Sequence, residues 1–245
     1  MDNINNLLFN NYFDCHYHGF GRYGTNLTSV SSLYMVDNPI KYKNSLVKYF
    51  TKNENILNHN LFLVIGKDIE ETKFLLDKYK NSFGVGELKV YKQYISINNK
   101  NTIKKYSNLQ FLKDVLNLNI KKPIFIHYDI DNQSIIDLEK ILGDYKDRTV
   151  VLCHCGMNEL FDKEQTFELV RNLQQKHANL FLDISWVALD YFLENKQKFA
   201  NLDNTRLLLG SDNNGLNDNY QEKMKELSQY INNKVNLEIL KELSK

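Results

Sequence analysis

Residues 123–154, PIFIHYDIDNQSIIDLEKILGDYKDRTVVLCH, contain the pattern that decides the fold. Two short apolar runs, Ile124–His127 and Thr149–His154, enclose the segment Asp131–Tyr145, whose apolar residues recur at helical spacing. Continuous apolar runs are typical of strands that are covered on both faces, as in a parallel sheet. This stretch therefore predicts a β-α-β unit with parallel strands.

The same alternation extends towards both ends of the chain. Apolar, β-branched runs are separated mostly by helical stretches, such as Asp68–Lys80 and Asn158–His177. Eight such β-α units close most simply as a (β/α)8 TIM barrel, and a doubly wound open sheet is the main alternative. The eight predicted strands are Asn11–His16, Ser32–Val36, Leu61–Ile65, Phe83–Val90, Ile124–His127, Thr149–His154, Leu180–Ser185 and Arg206–Asp212.

Length and composition narrow the class of protein. The 245 residues show no internal repeat or linker, so we expect one domain spanning residues 1–245. A hydrophobic content of 42% excludes a mainly disordered chain, and no apolar run approaches the roughly 18 residues of a membrane span. The first ten residues lack the features of a signal peptide, and three cysteines do not make a disulfide framework, so we expect a cytoplasmic protein. The net charge of +1 gives no reason to expect a membrane or nucleic-acid partner.

The first chemical motif is FDCHYHGF, residues 13–20. In a strand, Asp14, His16 and His18 lie on one face because side chains alternate. Two imidazoles at this spacing can bind one divalent cation from the same side. A polar strand end with hydrogen-bonded histidines is the alternative interpretation.

The second motif is FGVGELKV, residues 83–90, which places Glu87 near a strand end. A carboxylate there can offer one oxygen to each of two metal ions. Lys89 lies two residues further on and shares the same face. A surface Glu–Lys pair would be the default interpretation if this motif stood alone.

Two further histidines, His127 and His154, each follow an apolar run and are ligand candidates by position. Cys153 and Cys155 flank His154 and suggest a thiolate site. Because neighbouring strand residues point in opposite directions, a His154 that faces the barrel interior would turn both cysteines towards the helices. We therefore expect buried cysteines that bind no metal.

The last motif is TRLLLGSDNNG, residues 205–215, in which an apolar strand ends at Asp212. A carboxylate at this point can bind a metal and accept a proton from bound water. An aspartate in a turn or at a helix N-cap is the alternative. All these candidates follow strands, and the carboxyl ends of barrel strands share one face.

Together, DCHYH, GVGE, a histidine after each of two apolar strands and GSD after the last strand resemble the amidohydrolase superfamily of metal-dependent hydrolases. The order of the motifs is most similar to that of TatD-like hydrolases, whereas LLLGSD is more similar to the branch that includes decarboxylases and lactonases. The resemblance spans residues 14 to 212. The segment LKVYKQY departs from the TatD-like pattern, because it lacks the usual GLD.

The resemblance implies one or two divalent metal ions at the carboxyl-terminal mouth of the barrel, with zinc expected and manganese, magnesium, nickel or iron as alternatives. It also implies a role for each motif. His16, His18 and Asp212 would hold the first ion, His127 and His154 the second, and Glu87 would bridge them. A carbamylated Lys89 is the alternative bridge. Asp212 would also be the catalytic proton carrier.

The substrate is less well defined by the sequence. Arg22, in the loop after the first strand, could bind a carboxylate or phosphate with two hydrogen bonds. Ser185, with Asp183 and Trp186, ends the seventh strand and could contact substrate. We expect a hydrolase acting on a small-molecule ester, amide, lactone or phosphoester. The alternatives are a TatD-like deoxyribonuclease, for which a DNA partner is not favoured, a decarboxylase of the same fold, and a metal-binding barrel without turnover.

Overall fold

The computed structural model describes residues 14–17, 32–34, 61–90, 92–97, 100–105, 109–212 and 220–243. Eight of its strands form a sheet in chain order, and every recorded pair of neighbours in it is parallel. The strands are β1 (Asp14–Tyr17), β2 (Ser32–Tyr34), β3 (Leu61–Val64), β4 (Gly84–Lys89), β5 (Lys92–Ile97), β6 (Lys100–Lys105), β7 (Ile124–His127), β8 (Val150–Leu152), β9 (Leu180–Ile184) and β10 (Leu207–Leu209). The eight parallel strands fall on the eight predicted runs, so the (β/α)8 prediction agrees with the observed topology.

Strands β5 and β6 form a separate antiparallel hairpin, in which Lys92 pairs with Lys105 and Ile97 with Lys100. The sequence analysis predicted no strand in this segment. The hairpin leaves β4 at its carboxyl end. It is therefore inserted on the side of the barrel where the candidate site residues lie.

Seven α-helices are described, and none of them is both long enough and apolar enough to cross a membrane. The predicted helix Asn158–His177 is shorter than expected: it begins after Asp162, whose carboxylate accepts the N–H groups of Glu164 and Gln165. Leu160, which lies before this helix, is 54% exposed. The helices are α1 (Ile69–Lys78), α2 (Leu109–Leu116), α3 (Ser134–Asp144), α4 (Lys163–Lys176), α5 (Val187–Glu194), α6 (Tyr220–Leu227) and α7 (Asn233–Leu243).

Two apolar layers follow from the alternation of side chains along the strands. Phe125, Val151 and Phe181 are neighbours in register on β7, β8 and β9, and they pack in the inner cluster. The residues next to them along each strand belong to the larger cluster that contains the apolar faces of α1 to α6, whereas Leu237 and Leu240 of α7 pack in the inner cluster. The inner layer fills the barrel below the site, which leaves its carboxyl end for polar side chains.

The first and last strands approach each other most closely at Gly210. A Cβ atom there would lie 2.4 Å from the Cβ of His16 and 2.7 Å from its backbone nitrogen. Two residues later, the N–H of Asp212 donates to the carbonyl of His16 over 2.8 Å. The absence of a side chain at residue 210 therefore allows the contact that brings His16 and Asp212 together.

Backbone groups of Leu207 and Leu209 on β10 form hydrogen bonds with side-chain amides of α7. Asn233 accepts the N–H of Leu209 and donates to its carbonyl, both over 2.7 Å. Asn236 donates to the carbonyl of Leu207 over 2.6 Å. Helix α7 thus satisfies backbone groups of β10 that point away from β9.

We expect Gly210→Ala to destabilise the protein, because the new methyl group would force β10 away from β1. Overpacking of this kind costs about 1–3 kcal/mol. Gly143→Ala is the matched control, since that glycine lies in α3 and its Cβ would meet only the His177 ring at 4.0 Å. The control should stabilise the helix by up to about 1 kcal/mol. Urea denaturation of both variants measures the difference, and equal stability would contradict the close contact.

Candidate metal centre

The structure brings together five of the six residues predicted to bind metal. His16, Glu87, His127, His154 and Asp212 lie within one chain of short contacts at the carboxyl ends of their strands. His154 is central: its ring centroid lies 4.8 Å from that of His16 and 4.7 Å from that of His127. The sixth residue, His18, lies outside the described residues, as does Arg22.

His16 is fully buried and held from two sides. Its Nδ1 lies 2.6 Å from Oδ2 of Asp183, and its Nε2 lies 3.3 Å from Oδ1 of Asp212. Burial lowers the pKa of His16. The charge and hydrogen bond of Asp183 and the hydrogen bond of Asp212 together outweigh burial, so the pKa lies well above its ordinary value. The metal-free site therefore favours a protonated His16, and a metal ion would compete with that proton.

Glu87 is the buried carboxylate between the other two histidines. Its Oε1 lies 2.9 Å from Nδ1 of His127 and 3.6 Å from Nε2 of His154, and its Oε2 lies 3.1 Å from Nζ of Lys89. Burial raises the pKa of Glu87, but Lys89 and the two histidines outweigh it and hold the pKa well below its ordinary value. The carboxylate is ionised, and the Lys89 ammonium group lies beside it as an ion pair.

His154 reaches the site through a turn. Strand β8 ends at Leu152, and the following residues form a 3₁₀ turn in which His154 and Cys155 have φ of 56° and 52°. This left-handed backbone breaks the strand alternation, so that Cys153 and His154 both lie on the inner side. The prediction that both cysteines face the helices is therefore wrong for Cys153, whereas Cys155 does pack in the outer cluster.

The buried thiols are poor metal ligands. Burial raises the pKa of both Cys153 and Cys155, so each retains its proton, and a thiol must lose that proton to bind a metal well. Among the described residues, the groups whose donor atoms could hold an ion contain only histidine and carboxylate.

Asp212 also sits on a left-handed backbone, with φ of 54°, and is 21% exposed where the neighbouring ligands are buried. Its carboxylate lies 3.3 Å from Nε2 of His16 and 4.0 Å from Nε2 of His154. In a tetrahedral site with bonds of about 2.1 Å, neighbouring ligand atoms lie roughly 3.4 Å apart. The spacing of these nitrogen and oxygen donors fits a divalent ion between them.

Two carboxylates beside the histidines were not predicted as metal ligands. Asp183 forms a possible ligand group with His16 and His154, and its Oδ1 has no hydrogen-bond partner among the described residues. Asp129 is buried two residues after His127, with Oδ1 3.6 Å from Nε2 of that ring, and neither of its oxygens has a hydrogen-bond partner among the described residues. Strand alternation gives a signal for Asp183, since it shares the inward face with Phe181.

The predicted substrate residue Ser185 is fully buried behind the histidines. Its hydroxyl lies 2.6 Å from Oδ2 of Asp183 and 2.8 Å from Nδ1 of His154. Trp186, the next residue, has φ of 48°, and its ring centroid lies 5.3 Å from that of His154 and 6.3 Å from that of His127. The described contacts thus place Ser185 within the histidine network and Trp186 beside the candidate metal ligands.

No protein-family model and no curated protein matches the chain. Solved structures do match it. A candidate 2-pyrone-4,6-dicarboxylic acid hydrolase from Pseudomonas putida has a TM-score of 0.57 at 13% identity, covering 93% of this chain and 97% of that one. An uncharacterized TIM-barrel protein from Bordetella bronchiseptica has a TM-score of 0.55 at 12% identity, covering 87% and 78%.

A third match is 2,6-dihydroxybenzoate decarboxylase from Rhizobium, with a TM-score of 0.50 at 11% identity, covering 88% of this chain and 84% of that one. At these identities the likeness concerns the fold. It confirms the TIM barrel that the sequence predicted.

We expect the pairing of His16 with Asp183 to make the stability of the metal-free protein fall with rising pH. A histidine whose pKa is raised by folding stabilises the fold below its ordinary pKa of about 6.5, and this contribution is lost as the pH rises through the raised value. Asp183→Asn, which removes the charge and keeps the size, should flatten the slope above pH 6.5. Urea denaturation with a chelator present measures both proteins, and parallel pH profiles would contradict the coupling.

Proposed function

We propose that this protein is a metal-dependent hydrolase of the amidohydrolase type that cleaves an ester, amide, lactone or phosphoester of a small molecule. The observation that carries the proposal is the meeting of His16, His154, Glu87 and Asp212 at the carboxyl ends of β1, β8, β4 and β10. Active sites lie at this end of the barrel in essentially every characterised enzyme with this fold. The order of the motifs along the sequence, which resembles that of the amidohydrolase superfamily, supports the same function.

The proposed cofactor is one or two divalent ions, with zinc first because imidazole and carboxylate donors suit it. A bound ion would supply Lewis acidity and lower the pKa of an attacking water. His16, His154 and Asp212 would hold one ion, and Glu87 and His127 would hold or bridge to a second. Manganese, magnesium, nickel and iron are the alternatives for metal analysis to decide.

The protein's own residues would carry the protons. Asp212 is the only member of the group that is both a carboxylate and partly exposed, so it is the residue placed to accept a proton from the attacking water and pass it to the leaving group. Burial lowers the pKa of His154, which keeps that imidazole neutral and able to ligate or accept a hydrogen bond.

The position of Trp186 supports a small and at least partly planar substrate. The indole ring lies beside His127 and His154 and could stack on such a molecule, as aromatic side chains do in ligand pockets. The Pseudomonas neighbour is described as a hydrolase of a pyrone dicarboxylate. Arg22 remains our proposed partner for a substrate carboxylate.

Decarboxylation of an aromatic acid is a second candidate function. The Trp186 ring beside the histidines favours it, together with the Rhizobium neighbour that is a decarboxylase of 2,6-dihydroxybenzoate. Both reactions would use the same metal ligands. Hydrolysis consumes a water molecule, whereas decarboxylation releases carbon dioxide.

The test is metal analysis of the purified protein, followed by a panel of lactones, esters, amides, phosphodiesters, hydroxybenzoates and single-stranded DNA. We expect about one or two divalent ions per chain and turnover of a small carboxylated lactone or ester. Release of carbon dioxide from a hydroxybenzoate would support the decarboxylase instead. Metal-free protein that does not bind zinc, manganese, magnesium, nickel or iron in a titration would overturn the proposal.

We expect Asp212→Asn to abolish turnover far more than it disturbs folding. Asparagine keeps the size and one oxygen for the ion, but it cannot accept the proton, and such groups contribute roughly 10²–10⁴-fold in rate. His16→Ala should instead lower metal content, because it removes a ligand. Metal stoichiometry, melting temperature and rate are measured for both variants. Near-native activity of Asp212→Asn would move the proton-carrying role to His127 or His154.

We expect Trp186→Ala to raise KM by roughly 2- to 12-fold, because a lost aromatic stack is worth about 0.5–1.5 kcal/mol. Trp186→Phe should keep most of the affinity. Steady-state kinetics on the best substrate of the panel decide the point. If kcat falls while KM stays constant, the indole supports His154 and does not contact substrate.

A further inference from the structure

One oxygen of the buried Asp183 carboxylate lies within hydrogen-bond distance of three donor groups. Its Oδ2 lies 2.6 Å from Nδ1 of His16, 2.6 Å from the Ser185 hydroxyl and 3.5 Å from the backbone N–H of His154. An ionised carboxylate can only accept hydrogen bonds, whereas a protonated one would have to donate one. Convergence of three donor groups is the environment of the ionised form.

This geometry fixes the direction of each hydrogen bond. With Asp183 accepting, His16 must donate from Nδ1 and Ser185 must donate its hydroxyl proton. The Ser185 oxygen then has only its lone pairs left for Nδ1 of His154, 2.8 Å away. His154 must therefore carry its proton on Nδ1.

Both rings then present Nε2 to the mouth of the barrel. The Nε2 atom of His16 lies 3.3 Å from Asp212, and that of His154 lies 3.6 Å from Glu87 and 4.0 Å from Asp212. Rings that ligate a metal through one nitrogen commonly donate from the other to a carboxylate or carbonyl, which fixes the tautomer. Here one carboxylate serves two rings, one directly and the other through a serine.

We infer that Asp183 and Ser185 form a positioning pair that sets the orientation of both His16 and His154 and the tautomer of His154, so that Nε2 of each ring faces the candidate metal position. Ser185 is not a candidate ligand, whereas Asp183 belongs to a possible ligand group with His16 and His154 and acts in this pair through the hydrogen bonds of its Oδ2. Asp183 lies on β9 and Ser185 directly after it. The Ser185 hydroxyl contacts Asp183 and Nδ1 of His154, and it also lies 3.4 Å from Nδ1 of His16. The part of the inference that concerns metal affinity rests on the proposed function, whereas the tautomers do not.

The first experiment reads the tautomer directly in metal-free protein labelled with ¹⁵N-histidine. Long-range ¹H–¹⁵N correlation spectra distinguish Nδ1–H from Nε2–H in a neutral ring, and His154→Gln assigns the signals. At pH 8 we expect His154 in the Nδ1–H form. In Ser185→Ala it should shift towards Nε2–H, the form that histidine prefers in water.

Ser82→Ala is the matched control. Ser82 is also a buried serine, its hydroxyl has no hydrogen-bond partner among the described residues, and it precedes β4, far along the strand direction from the mouth. This variant should leave the His154 signals unchanged. An Nε2–H form of His154 in the unmodified protein would overturn the inference, as would an unchanged Nδ1–H form in folded Ser185→Ala.

The second experiment measures zinc affinity by calorimetric titration at the same pH. Loss of a supporting hydrogen bond typically costs 10–100-fold in metal affinity, and we expect a loss of that size for Ser185→Ala but not for Ser82→Ala. Asp183→Asn should weaken binding further, because it affects both rings. If the predicted tautomer is present but neither zinc nor any of the alternative ions binds, the proposed function fails and the positioning pair stands. If zinc binds equally well to all variants, the positioning pair fails and the proposed function stands.

Discussion

The contact between the end of β10 and β1 is the constraint on which the site depends. One backbone hydrogen bond, from the N–H of Asp212 to the carbonyl of His16, joins residues from nearly opposite ends of the chain. It forms only because Gly210 leaves room for the His16 backbone. Without that contact, Asp212 would follow its strand away from the histidines, and the donors on β4, β7 and β8 would face no carboxylate from the last strand.

The charged groups inside the barrel are paired in a way that offsets the desolvation cost of their burial. Asp183 and Glu87 are completely buried, and each is paired with a cationic or hydrogen-bonding partner: Asp183 with His16, and Glu87 with Lys89 and His127. Because these pairs share hydrogen-bonded protons, their side chains lie close together in the metal-free site. The protons occupy positions that a metal ion could take. Metal binding would therefore release protons and respond to pH, as is usual for histidine sites.

Short apolar runs were sufficient to predict the eight parallel strands, and position after a strand was sufficient to select His127 and His154. The orientation of His154 was beyond sequence reasoning, because a left-handed backbone at a non-glycine residue breaks the alternation that the prediction assumed. Asp183 was undervalued because its partner His16 lies 167 residues away. The hairpin β5–β6 was missed because its polar sequence, KQYISI and KNTIKK, contains no continuous apolar run.

The two asparagines of α7 have a consequence for how the chain meets other chains. An unpaired strand edge is a template on which a strand from another molecule can add, and this is a common route to aggregation. By capping Leu207 and Leu209 with side-chain amides, α7 removes that template from the β10 edge, and it does so without supplying a strand of its own. Detachment of this helix would leave a flat apolar edge, LLL, open to intermolecular β-pairing. We therefore expect variants that loosen the docking of α7 to aggregate more readily.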